Sequence, residues 1–348
     1  IYEEAWDLEE RGIPFHRGAG REPLTATYAS KEAFLRDVPR LIIEHNIHGV
    51  DIDPRAVQIA GLSLWLRAQK SWQGQELKLS ARPPIQKSNV VCAEPMPGAE
   101  RLLNEFLEQH LADTPEQQLV GQLVRRVFEA MKLAGEAGSL LQIEQEISKD
   151  VEEARLQWLN RPKSEQLTLS VLEAEPKQQE LPLMVDEITD EYFWERVEGE
   201  TYKALNRYAE QAENGNSYQR RLFANDAVRG FAFIDLCRKK FDVVLMNPPF
   251  GNLPNSVSSI ISSEAANNIY PAFVLRGTDL SDGFVGAITD KTFVVQQSFG
   301  NFRARLTSDL GLIGLVELGW GILDDADVQV AIYVVRNNSE PIHLFSSL

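Results

Sequence analysis

A doubly wound, Rossmann-like α/β sheet, partly represented and carrying a helical acidic insertion, is the fold the sequence predicts. Three observations carry it. Short apolar runs stop at turn residues, as Ile47-His48-Gly49-Val50-Asp51 stops at Asp53-Pro54. Helical patterns follow these runs, so strands and helices alternate along the chain. The almost wholly apolar run Phe241–Met246 reads as a central parallel strand covered on both faces.

In chain order, residues 1–40 read as helix and loop, with a glycine-rich turn at Gly18-Ala19-Gly20. The first strand, at residues 47–51, gives way to Asp53, a helix N-cap, and Pro54, at the first helical position. From Arg55 to Lys70 the apolar positions (Val57, Ile59, Ala60, Leu62, Leu64, Leu66) surround most of the circumference, which predicts a buried helix. A second strand reads Asn89–Ala93 and closes at Glu94-Pro95. Leu119, Leu123, Val127 and Met131, with Val120, Val124 and Phe128, fall at three- and four-residue spacing and predict an amphipathic helix. Its apolar face packs on neighbouring helices or receives a partner.

Residues 160–185, rich in Pro, Gln and Glu, read as a loose connection, and helical pattern resumes from Asp190 to Ala212. Beyond Met246, strands are expected at 284–288, 312–318 and 328–335, with helices near 269–278 and 302–310. The organisation expected is an N-terminal part of the sheet domain (1–98), a mainly helical insertion (99–225) and a C-terminal part (226–348).

The 348 residues are 43% hydrophobic, enough for a sizeable core, and no run approaches the roughly 18 apolar residues of a membrane helix. The mixed residues Ile1–Trp6 do not read as a signal peptide, and Cys92 and Cys237, in separate apolar contexts, read as buried reduced thiols. A cytoplasmic protein with no metal site is expected. The net charge of −16 argues against a large nucleic-acid footprint on the whole chain. Residues 99–200 hold 10 Lys and Arg against 23 Asp and Glu, so the remainder carries only about −3 and can touch DNA locally. The start at Ile1 and the end at Leu348, just after a strand-like run, read as a piece of a longer protein.

The strongest chemical signal is Asn247-Pro248-Pro249-Phe250, directly after the apolar strand. Open α/β sheets hold their ligands at the carboxyl ends of strands. Two prolines fix two φ angles and remove two donors, leaving the Pro248 carbonyl beside the Asn247 amide. Together these offer two acceptors for the two hydrogens of an exocyclic amine, and Phe250 offers a flat face for an extruded base. Accepting both hydrogens localises the nitrogen lone pair for in-line attack on the methyl group of a sulfonium, and the same oxygens stabilise the charge that develops. The competing reading is a rigid turn that merely ends a strand.

A second signal is Gly49-Val50-Asp51-Ile52-Asp53-Pro54. An acidic residue at this strand end accepts from a ribose diol, which suits Asp51, with Ile52 packing on an adenine ring. An ordinary strand-to-helix turn and a metal-binding Asp-x-Asp pair are the alternatives. Glu94, at the end of the second strand, is a candidate acceptor for an adenine amine or a plain surface carboxylate. Asp226, whose flanks look more helical, competes for the same role.

These residues resemble the amino-methyltransferases that act on DNA adenine. The strings Glu44–Ala60 and Phe241–Gly251 resemble in particular the large adenine methyltransferases of the BREX phage-exclusion systems (PglX-like), and more broadly fused restriction–modification enzymes. The resemblance implies S-adenosylmethionine as methyl donor and transfer to N6 of adenine in double-stranded DNA, with DNA bound mainly by regions outside this chain. It implies Asn247, Pro248, Pro249 and Phe250 as the catalytic set, and Asp51, Ile52 and Glu94, with Asp226 as competitor, on the donor side. It implies a role in phage defence or restriction–modification, with possible protein partners. Ile269-Tyr270-Pro271-Ala272-Phe273 resembles the helix lining the two pockets. The family's strand ending in Gly-x-Gly has no counterpart before Asp51, and Gly18-Ala19-Gly20 follows no apolar strand. The piece alone is therefore expected to bind donor poorly and methylate little. The alternative is a non-catalytic scaffold or sensor in a phage-defence complex.

Overall fold

The computed structural model describes residues 2–13, 23–93, 100–159, 190–210, 217–252, 268–323 and 328–336. The chain divides into two compact units, Ile1–Ala93 and Glu94–Leu348, and the strands form one hydrogen-bonded sheet in each. Gly18-Ala19-Gly20, Glu94-Pro95 and the 160–185 connection lie outside the described residues.

In the first unit, β1 (His48–Asp51) and β2 (Asn89–Cys92) pair in parallel, with Asp51 opposite Cys92. Helices α1 (Tyr2–Glu10) and α2 (Lys31–Leu41) precede β1, and α3 (Pro54–Gly74) makes the crossover to β2. Asp53 caps α3 by accepting from Arg55 N, and Pro54 opens it, as expected. Trp72, fully buried, donates Nε1 to the Arg36 carbonyl at 2.7 Å and fixes α3 on α2. Glu44, also buried, accepts from Gln86 N at 2.7 Å and Arg40 Nη1 at 2.6 Å, while its carbonyl accepts from Asn89 Nδ2 at 2.7 Å. It thereby ties the turn before β1 to β2.

The helix after Pro54 is present but is not buried around its circumference. Ala68 and Trp72 are buried, whereas Ile59, Leu62, Trp65 and Leu66 form an exposed stripe. Apolar residues mark two faces of α3, and only one of them meets α2 and the strands.

The second unit opens with a helical bundle: α4 (Glu100–His110), α5 (Pro115–Ala130), α6 (Ile143–Glu146), α7 (Ser148–Leu159), α8 (Asp190–Glu210) and α9 (Ser217–Arg238). A Thr114–Gln117 capping box starts α5, and its Leu123, Val124, Val127 and Phe128 are buried. The rings of Phe106, Tyr208 and Phe223 lie 5.6–6.1 Å apart in the bundle core. The amphipathic face thus packs within the bundle. Helix α9 runs unbroken through residue 225, and the bundle belongs to the same compact unit as the strands that follow.

Those strands are β3 (Phe241–Met246), β4 (Ser281–Asp290), β5 (Gly311–Gly319) and β6 (Val330–Arg336), in the order β3-β4-β6-β5. β3 and β4 are parallel, joined by a crossover containing α10 (Ile269–Leu280); β6 is antiparallel to both neighbours. Tyr270, Val274, Phe293, Phe299, Phe302 and Leu306 pack over Ala287, Tyr333 and Val335 on one face. The opposite face leaves Val243, Leu245, Phe284, Ile332 and Val334 exposed, Leu245 to 79%. The expectation that β3 is covered on both faces is therefore corrected. Among the described residues β3 is an edge strand, and helices cover its sheet on one side. At Gly283 a Cβ would meet the Asp242 carbonyl oxygen at 2.2 Å, so the close start of the β3–β4 pairing requires glycine.

Candidate active site

The Asn247-Pro248-Pro249-Phe250 turn leaves β3 at its carboxyl end. Asn247 is exposed, and its amide takes no hydrogen-bond partner among the described residues; Pro248 is buried, Pro249 exposed and Phe250 half-buried. Gly251 follows at φ +123°, a conformation L side chains rarely adopt, and its carbonyl accepts from Ile269 N at 3.1 Å. Asn252 bridges to Asn268, which caps α10 by accepting from Tyr270 N. The turn is thus held by β3 on one side and by the start of α10 on the other. α10 presses closely on β3: a Cβ at Gly277 would lie 2.3 Å from Met246 Cε.

Asp290, buried at the carboxyl end of the adjacent parallel strand, accepts from Thr292 N at 2.7 Å and from the Thr292 hydroxyl. Burial, and then the Asp290 charge, push the Tyr270 hydroxyl pKa upward. No local pattern in the chain marks Asp290 as a buried polar group. Asp226 sits in the middle of α9, beside Arg229 at 3.7 Å, and α9 packs chiefly on α8 and α6.

In the first unit, Asp51 ends β1 with an exposed carboxylate. Its Oδ1 accepts from Asp53 N at 2.8 Å, and its Oδ2 has no hydrogen bond among the described residues. Ile52 is 56% exposed, and its carbonyl accepts from Cys92 Sγ at 3.7 Å. The Asp51 carbonyl accepts from Ala93 N at 2.9 Å, so the end of β2 braces the turn. Asp53 is gripped by the Arg55 guanidinium, which, with the Arg55 N–H, pulls its pKa down to about 2. The carboxylate that caps the helix is thus occupied, and the one before it is open.

A groove of about 480 Å³ runs from Asp51 past Ala56, Val57 and Ala60 to Ser63 and Arg67. A larger one, about 760 Å³ between α1, α2 and α3, contains none of the candidate residues; the strand-end chemistry favours the smaller. An open carboxylate oxygen, an exposed apolar side chain and an adjoining groove suit a nucleoside's diol and ring. Glu94 lies outside the described residues. Among the described residues no group of three His, Cys, Asp or Glu is placed to hold a metal ion, and no helix is long and apolar enough to cross a membrane. Cys92 and Cys237 are both buried, with no disulfide.

Residues 45–320 match the Eco57I restriction-modification methylase family. A Methanocaldococcus jannaschii protein named as a type II restriction enzyme and methyltransferase is 25% identical over 312 residues, 85% of this chain and 26% of that protein. Adenine-specific methyltransferase BrxX of Escherichia coli O9:H4 (strain HS) is 43% identical over 47 residues, 14% of this chain and 4% of that protein. The chain thus spans about a quarter of the first relative's length and far less of the second's. Among solved structures, a class I S-adenosylmethionine-dependent methyltransferase of Listeria monocytogenes overlaps 71% of this chain and 92% of its own at 13% identity and a TM-score of 0.29. The type IIG restriction endonuclease BpuSI overlaps 69% of this chain and 39% of its own at 12% identity and a TM-score of 0.26. At such TM-scores the α/β architecture rests on the strands and crossovers themselves.

Proposed function

Because the chain belongs to the Eco57I restriction-modification methylase family, we propose that it is the catalytic region of a DNA methyltransferase that transfers a methyl group to N6 of adenine. The observation that carries this reading is the exposed Asn247 amide at the carboxyl end of β3, followed by two prolines and Phe250. The methyl donor is S-adenosylmethionine, whose sulfonium supplies an electrophilic methyl group. Asp51 Oδ2 holds the donor's ribose diol and Ile52 packs against its adenine. Glu94, or Asp226 in its place, accepts from the donor's amine.

At the turn, Asn247 Oδ1 and the Pro248 carbonyl accept the two hydrogens of the target amine. This concentrates the lone pair on nitrogen, and the same dipoles stabilise the positive charge that forms there. Phe250 stacks on the extruded base, and Pro249 keeps the turn rigid. Removing the base from its stack is required because its amine is paired inside the duplex. With a net charge of −16, the chain leaves most DNA affinity to other parts of the protein.

The short, closer match to an adenine-specific methyltransferase supports adenine as the target, and the setting proposed is phage defence or restriction–modification. The setting is the cytoplasm, where host DNA is available. Incubation of the full-length protein with methyl-labelled S-adenosylmethionine and duplex DNA, followed by nucleoside analysis, tests the reading. Label in N6-methyldeoxyadenosine is the expected result. Label confined to a methylated cytosine, to RNA or to protein overturns it.

A further inference from the structure

We propose that Trp320 is a positioning residue of this same site that packs against the bases of the duplex beside the extruded adenine; the inference rests on the proposed DNA methyl transfer. β6 is antiparallel to both β4 and β5, so β3, β4 and β5 run in one direction and end on one edge of the sheet. Asn247 leaves β3 on that edge, and Trp320 leaves β5 there. In the order β3-β4-β6-β5, three strand spacings, about 14 Å, separate them across the sheet, and Trp320 lies three register positions farther along it, so the two stand about 17 Å apart. That is too far for Trp320 to share the base held by Phe250. It is within the footprint of a duplex whose major groove alone is about 12 Å wide.

The chemistry of the loop agrees. Trp320 is 60% exposed, and Ile322, also on the loop, is exposed beside it in sequence. Gly319 and Gly321 flank the tryptophan at φ +82° and +73°, so the backbone takes a course that side chains at those two positions would strain. The loop offers little to phosphates: Lys291 Nζ lies 3.1 Å from Glu317, and Asp324, Asp325 and Asp327 follow in sequence. A large apolar ring without neighbouring positive charge suits base faces, where aromatic stacking tolerates any sequence. A side chain that fills the space an extruded base vacates favours the open duplex over the closed one.

The test uses the full-length protein and duplexes carrying the site found by sequencing host DNA. Methyl transfer by wild type, W320A and W320F is compared on matched duplex and on duplex with the target adenine mispaired; 2-aminopurine fluorescence at the target position reports extrusion. On matched duplex, W320A is expected to lose about tenfold in kcat/KM and most of the fluorescence rise, with W320F losing less. A mispaired adenine costs less to extrude, so it restores W320A to within about threefold of wild type. An equal loss on both duplexes, or no loss, overturns the inference and leaves the methyltransferase reading intact. Wild type that transfers no methyl group to either duplex overturns the functional reading and this inference with it.

Discussion

Arg276 on α10 and Glu144 on α6 form a buried ion pair, 2.6 Å between Nη2 and Oε1, that ties the helix behind the candidate turn to the helical bundle. Arg276 Nε also donates to the Ser139 carbonyl at 2.8 Å. Nη2 and Glu144 Oε2 take part in no well-directed hydrogen bond, so the pair is held mainly by charge. The burial of Cys237 nearby pushes its thiol pKa up to about 12, against the lowering effect of Arg276. Removing one partner of a buried pair strands the other charge. E144A is therefore expected to lower unfolding stability by about 3–5 kcal/mol, while replacing both residues by apolar ones costs much less. Denaturant unfolding of the single and double variants checks this.

Two glycines beside β3 separate a rigid contact from a yielding one. A Cβ at Gly283 meets backbone, the Asp242 carbonyl oxygen at 2.2 Å, whereas at Gly277 it meets the flexible end of Met246 at 2.3 Å. G283A is expected to destabilise by about 2–3 kcal/mol and G277A by about 1 kcal/mol or less, because only the side chain can step aside. Thermal unfolding of both variants gives the order; equal losses contradict it.

Acid weakens the first unit through Arg40. Its guanidinium lowers the Asp37 pKa, aided by the Tyr28 hydroxyl against the effect of burial. Burial raises the Glu44 pKa, and the Gln86 N–H and Arg40 outweigh it, so this pKa is also lowered. Depressed carboxyl values mean stability that is complete above the unfolded values, about 4, and is lost as pH falls through the folded ones. Wild type is expected to lose stability steeply below about pH 4, and R40Q to be weaker at neutral pH with a flatter acid profile. Unfolding followed by Trp fluorescence between pH 3 and 7 distinguishes the two.

The Asp51 side chain is exposed and bonds only within its own turn, so its loss leaves the fold intact. In the full-length protein, D51A is expected to weaken S-adenosylmethionine binding about 10- to 100-fold, the worth of charge-assisted hydrogen bonds to a diol. Calorimetry with unchanged unfolding temperature supports the role. Unchanged affinity removes Asp51 from the donor site.

Much of this arrangement was legible in the sequence. Asp53-Pro54 starts α3, the apolar run 241–246 is β3, and the three later strands fall within a few residues of their expected ends. Cap residues and period-two runs are local signals, and local chemistry decides them. Coverage is not local. Ile59, Leu62, Val243 and Leu245 are as apolar as core residues yet exposed, because periodicity reports which residues can be buried and not which neighbours arrive to cover them. Contacts distant in sequence, Arg276 with Glu144 or α10 with β3, left no pattern to read. The candidate turn was legible because its four residues are contiguous. Asp290 was not, because its importance comes from lying on the strand beside β3.

Adenine methylation in host DNA, measured nucleoside by nucleoside in cells carrying the full-length protein or its N247A variant, probes the proposed role of the Asn247 turn most directly. The exposed amide predicts that N6-methyladenine at the protein's sites disappears with N247A while the variant accumulates and unfolds as wild type does. Methylation that persists at those sites, in cells with no other enzyme for them, would contradict the account.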